Sequence, residues 1–284
     1  MARARHYRPG LIEDLHELVR RGYRQLYGRR PGSWRSALDF TACEFPVTLR
    51  RHAGLFLLAV ACLFLPMVIF GIACYEDPAL IYSVMEAYKV TELESLYGPA
   101  NAKPGRGAER QADTDVMMFG FYILNNIGIG FRVFAGGLLL GLGSVVVLLL
   151  NGLHIGAAAG HLAGIECGST FWPFVSGHGP YELTAIAISG TAGLLLGKVL
   201  IAAGNRTRLV ALRASARDAV ALVVGAALLL VLAAVVETFW SSGAAPATLK
   251  IGVGAVGWVL VALYLALAGR GSAVDTNIGD GRGA

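Results

Sequence analysis

The sequence predicts an all-α polytopic membrane helix bundle of about six transmembrane helices, with both termini cytoplasmic. Three observations point there. Hydrophobic residues make up 55% of the chain and charged ones only 15%, against about 25% charged in a soluble domain. The apolar residues collect in runs of about 20, the length a helix needs to cross the hydrocarbon core. The basic residues are segregated: residues 1–52 hold 11 of the 24, all Arg, against 5 acids. A mean hydropathy of +0.59 excludes a disordered chain and an ordinary soluble enzyme. The net charge of +5 reads as cytoplasmic flanks rather than a nucleic-acid groove, so no nucleic-acid partner is expected.

Residues 1–52 form the first region. Leu11, Leu15, Leu18, Val19, Gly22 and Leu26 recur at helical spacing, with Arg20, Arg21 and Arg24 between them. A second amphipathic piece around Trp34, Leu38 and Phe45 ends near Pro46. Basic amphipathic helices lie along the anionic inner leaflet; docking on a soluble partner is the alternative. The first apolar run starts near Ala53, too late for a cleavable signal peptide.

The bundle occupies residues 53–270. Its expected spans are Ala53–Cys74, with Pro66 as a kink, then Val116–Val133, Gly137–Gly160, Glu182–Ala203, Asp218–Glu237 and Leu249–Ala268. The second is the weakest, since it carries Asn125, Asn126 and Arg132. Residues 75–115 hold 8 acids and 4 bases and should be external. Within them 79–97 reads as helical and 98–115, rich in Gly and Pro, as a flexible loop. The loop bearing Arg206, Arg208, Arg213 and Arg217 returns to the cytoplasm. Only an even number of spans puts both basic regions inside. Residues 271–284 form a flexible cytoplasmic tail. The expected location is the inner (cytoplasmic) membrane, multi-pass, with the lipid bilayer as the first partner.

Gly152, Gly156, Gly160 and Gly164 recur every fourth residue along the third span, and Gly137–Gly141 and Gly193–Gly197 repeat the spacing. Such stripes let another backbone approach closely. Packing inside the bundle, with the third span at its centre, is the preferred reading, because a central helix needs close neighbours. A homodimer seam is the other. The echo between Ala135–Gly141 and Ala192–Gly197 reads as low-complexity coincidence.

Polar residues inside a membrane are functional candidates by default. Here they are Asn125, Asn126, Asn151, His154, His178, Glu182 and Glu237, with His161 near the outer end of the third span. The expected topology places nearly all of them in the outer half, which suggests one shared polar cavity there. Interhelical hydrogen bonding is the bland alternative. In His178-Gly179-Pro180-Tyr181-Glu182, Pro180 suits a first helical turn, which makes Gly179 the cap and Glu182 the third helical residue. That gives Glu182 a structural role at the positive helix end. A proton-transfer pair or metal ligation by His178 and Glu182 is the functional alternative. The His, Glu and Cys spacing matches no metal motif, and no nucleophile elbow, phosphate loop or dinucleotide fingerprint occurs. No metal and no cofactor are therefore expected. Cys43, Cys62, Cys74 and Cys167 read as free thiols, with a Cys74–Cys167 disulfide as the minor alternative.

Three stretches together resemble the stage II sporulation protein M family. They are Phe121–Asn126, then Phe134–Gly137 through Asn151–Gly156, then His178–Ile186 with Ala192–Leu194. Glu237-Thr238-Phe239 matches the acidic end of the family's next span, and the likeness covers roughly residues 40–270. The resemblance implies an integral membrane protein without established catalysis. In sporulating bacteria such a protein anchors peptidoglycan-degrading partners during engulfment. The expected function is thus a non-enzymatic membrane scaffold or assembly subunit of a cell-envelope complex, with other membrane or envelope proteins as partners. The alternatives are a transporter or channel subunit with an outward-facing polar cavity, and a membrane-embedded hydrolase using His178 and Glu182.

Overall fold

The structure is a computed structural model that describes residues 34–98, 113–202 and 207–270. The expected helix over Leu11–Leu26, most of the 98–115 loop and the 271–284 tail lie outside those residues. The chain divides into two compact units, Met1–Ala42 and Cys43–Ala284. In the first, Trp34–Asp39 forms α1, with Trp34 and Leu38 exposed.

The second unit is the bundle, and it begins at Cys43 rather than after residue 52. Its first helix, α2 (Phe45–Arg51), buries Phe45, Pro46, Thr48 and Leu49. Phe45 sits against Gly225 and 6.3 Å from the Tyr264 ring. The amphipathic piece around Trp34, Leu38 and Phe45 is therefore divided, because Phe45 finds a core position. Next come α3 (Ala53–Glu76), a 3₁₀ segment Pro78–Ser83 and α4 (Ala87–Tyr97). Then follow α5 (Asp113–Ala135), α6 (Leu142–Gly164), α7 (Gly168–Ser176) and α8 (Gly179–Ile201). The chain continues through α9 (Arg208–Val235), a π-helical turn Val236–Ser241 and α10 (Ala247–Leu267). No strand occurs among the described residues. Pro66 lies inside α3, which runs on without a break.

Among the described residues, five helices are long and apolar enough to cross a membrane: α3, α6, α8, the Leu209–Ser241 stretch and α10. Large apolar side chains on their outer faces remain exposed, among them Leu65 and Ile69 on α3 and Val259 and Leu263 on α10. So much apolar surface suits lipid and not water. The sixth expected span, α5, is less apolar, as Asn125, Asn126 and Arg132 dictate. Geometry nevertheless makes it a traversal. Gly152, Gly156 and Gly160 of α6 lie against Leu63, Met67 and Gly71 of α3, and Gly164 against Tyr75. The two helices therefore run parallel in a constant register. Among the described residues between them only α5 is long enough to carry the chain back, since its 23 residues span about 35 Å at the α-helical rise. The other crossings alternate in the same way. Gly130 of α5 meets Ser189 of α8 and Leu230 of α9, and Gly254 and Gly257 of α10 meet Ser176 and Pro180.

The two ends of the bundle differ. At one, Arg50 donates from Nη1 to the Leu265 carbonyl at 2.7 Å and from Nη2 to the Ala268 carbonyl. This places a cation on the negative end of α10. There too Asp218 takes His52 Nε2 at 2.9 Å and Arg51 at 3.2 Å. The Arg213–Arg217 segment, expected as loop, is helical and extends α9 at this arginine end. At the other, cap end, His161 holds the Pro78 carbonyl through Nδ1 and the Glu94 carboxylate through Nε2, both at 2.8 Å. The 3₁₀ segment and α4 are thereby pinned to α6.

The packing centre is α8, not α6. Fifteen of its 23 residues are buried, fourteen of them in an unbroken run from Thr184 to Gly197. Small residues on more than one side let it accept α3, α5, α6 and α9 together. The glycine stripe of α6 serves one neighbour only, and that neighbour is α3 of the same chain. Gly137 and Gly141 meet Gly193 and Gly197, so the echo between the two segments is a contact between them. Gly141, at φ +82°, also makes the left-handed turn into α6.

Candidate functional site

Three side chains converge at the cap end. The α8 helix starts at Gly179, one residue before the sequence expectation, and His178 is its cap. The Tyr181 and Glu182 amides both donate to the His178 carbonyl, at 3.0 and 3.1 Å. Pro180 falls in the first turn, where its missing N–H is not needed. His178 and Glu182 are then four apart and share a helix face. Their Nε2 and Oε2 atoms are 3.9 Å apart. Glu182 sits a residue deeper than a third-position capping partner, and no side chain at the cap bonds the helix amides.

The third side chain arrives from α9. The wide turn Val236–Ser241 carries Glu237 and Ser241, and π-helical turns of this kind recur at functional sites. One ligand atom each of His178, Glu182 and Glu237 lies within 4.8 Å of the others. Ser241 Oγ lies 3.1 Å from His178 Nδ1, and the His178 ring is 6% exposed. Lys250 from α10 donates its Nζ to the carbonyls of Ser241 at 2.7 Å and Gly243 at 2.8 Å. It thereby fixes the end of the turn.

Aromatic rings close the cluster. Phe174 stacks edge-on against His178 at 5.4 Å, and Tyr97 packs against Phe171 and Phe174 at 5.2 and 5.5 Å. Burial pushes the Tyr97 phenol well above its ordinary pKa, and nearby Glu237, Tyr122 and Glu182 add to the rise. The α4 cap therefore abuts the two carboxylates. On the other side, His178 and Glu182 line a cleft of about 850 Å³ between α3, α6, α7 and α8, with Trp258 of α10 at its edge. Apart from Tyr75, Ser176 and these two residues, its walls are mostly apolar.

The remaining candidates do not join this cluster through any hydrogen bond. Asn151 Nδ2 donates to the Val147 carbonyl, and His154 Nδ1 to the Leu150 carbonyl, each at 2.7 Å on its own helix. Asn125 donates to Asn126 Oδ1 at 3.2 Å. Asn126 is 3% exposed, and its Nδ2 has no partner among the described residues. His161 serves the cap. Tyr97, Ser241 and Lys250 were invisible in the sequence, because no spacing rule joins a tyrosine at the end of an external helix, a serine at the end of a π turn and a lysine in a hydrophobic run. The four cysteines carry thiols rather than disulfides.

A family model described as Stage II sporulation protein M matches residues 60–242, nearly two thirds of the chain. The match takes in His178, Glu182, Glu237 and Ser241, while Lys250 lies beyond it. No curated protein and no solved structure gave a significant match.

Proposed function

The chain belongs to the stage II sporulation protein M family, and from that premise we propose that it is a scaffold or assembly subunit of a cell-envelope complex in the cytoplasmic membrane. The family match carries this reading. Two structural features support it. The α3–α6 seam is backbone against backbone over four helical turns, which makes a stiff frame. The Pro78–Tyr97 cap is held to that frame by both nitrogens of His161, and so presents a fixed surface beyond the lipid. The Arg-rich arginine end then faces the cytoplasm and the acidic cap faces outward.

The test is crosslinking in native membranes followed by affinity purification of the full chain. A scaffold brings down an envelope protein in near-stoichiometric amount and gives no solute flux in proteoliposomes. Flux without a captured partner would support a transporter instead. One observation favours a second reading, a membrane-embedded hydrolase: His178 and Glu182 stand at the wall of an apolar cleft. In that case His178→Ala abolishes turnover while the protein stays folded.

A further inference from the structure

We propose that His178, Glu182 and Glu237 form a binding site for one divalent transition-metal cation of the zinc type. The proposal does not depend on the scaffold reading.

Convergence is the first argument. The three ligands come from the start of α8 and from the π turn that follows α9, and one donor atom of each lies within 4.8 Å of the others. A tetrahedral site with zinc–ligand bonds of about 2.0–2.2 Å has its donor atoms roughly 3.3 Å apart. The 3.9 Å between His178 Nε2 and Glu182 Oε2 needs only a small side-chain rotation to reach that spacing.

Orientation is the second. A metal-binding imidazole characteristically engages a polar partner through its other nitrogen, which fixes the tautomer and the ring plane. His178 does so. Its Nδ1 is within hydrogen-bonding distance of Ser241 Oγ, which leaves Nε2 directed at the carboxylate of Glu182. Ser241 is itself buried, and its carbonyl is tied by Lys250.

Charge is the third. Glu182 and Glu237 bring two carboxylates within 4.8 Å of one another, which gathers negative charge at one point. A divalent ion compensates both acids at once. Its donor set, one imidazole and two carboxylates, suits zinc, manganese or iron(II) rather than a soft thiolate-preferring metal. Three protein ligands leave a position open, the pattern of sites that bind water or substrate. Two of the three ligands line the apolar cleft.

The test uses the full chain, purified in detergent without a polyhistidine tag or chelator. Metal content is measured by mass spectrometry, and stripped protein is titrated with Zn²⁺ and Co²⁺. The proposal expects about one ion per chain and a Co²⁺ d–d spectrum without a thiolate charge-transfer band. Glu237→Gln should weaken binding by about 100-fold or more. Ser241→Ala, which removes only the partner of Nδ1, should weaken it about 10- to 100-fold. If Glu237→Gln does not give a monodisperse protein, Ser241→Ala decides. Absence of tight Zn²⁺ binding to the wild-type chain would overturn the proposal. So would wild-type affinity in either folded variant, or a thiolate band. The cluster would then be three side chains sharing protons.

Discussion

Replacing Gly156 by Ala adds one methyl group to the α3–α6 seam. Built on the present backbone, it would lie 2.8 Å from Met67 Cα and closer still to the Met67 carbonyl oxygen. Carbon atoms pack best at about 3.5–4.0 Å, so the helices must part by about 1 Å. They cannot part at that position alone. The added carbon at Gly152 would be 3.0 Å from the Leu63 carbonyl carbon, and at Gly160 2.8 Å from that of Gly71. The whole seam therefore opens or strains. Overpacking of this kind costs about 1–3 kcal/mol, and lost Cα–H···O contacts add about 0.5–1 kcal/mol each. Gly156→Leu should cost more. The assay is thermal unfolding in a mild detergent, followed by the monodisperse fraction. Gly128→Ala is the control, because no atom lies within 4 Å of the methyl it would add. Equal midpoints for Gly156→Ala and Gly128→Ala would refute the close-packing argument.

Three further outcomes follow from particular contacts. His161→Ala removes the partner of both the Pro78 carbonyl and Glu94. Leaving buried polar groups unpaired costs about 1–3 kcal/mol, so protease cleavage between residues 77 and 98 should rise about ten-fold or more; an unchanged rate would show that the cap is held otherwise. Lys250→Met strips the donors from two carbonyls at the end of the π turn and should destabilise the bundle by about 2–4 kcal/mol. An unshifted unfolding midpoint would contradict that assignment. Burial, and then the charge of Glu94, hold the Cys167 thiol above its ordinary pKa. Its thiolate fraction at neutral pH is thus reduced, and alkylation should run slower than for a free cysteine peptide until the protein unfolds; peptide-like rates would refute the burial.

The spans were legible because hydropathy and helical rise act along one dimension. Ala53–Cys74 and Leu249–Ala268 need no partner to be recognised. Glycine spacing foretold close helix contacts, but not which helices meet. That depends on register, and the constant offset between α3 and α6 is a property of the folded pair. For the same reason the stripe of α6 drew attention away from α8, whose burial comes from having neighbours on every side. At the site, His178 and Glu182 were visible as one turn of helix. Glu237 was expected with them in one outer cavity; Ser241, more than fifty residues on, was not. Asn151 and His154 look like site residues in the sequence, yet each side chain bonds a carbonyl of its own preceding turn, which the pattern cannot distinguish from facing a cavity.

Every statement about what faces the cell envelope rests on six traversals with the arginine end inside. Single cysteines at Ser95 and Thr207, in a chain whose own cysteines are replaced by Ser, test this directly in intact cells. An impermeant maleimide should label Ser95→Cys without permeabilisation and Thr207→Cys only after it. Labelling of Thr207→Cys from outside, with Ser95→Cys protected, would place the cap and the His178–Glu182–Glu237 cluster on the cytoplasmic side and contradict the account.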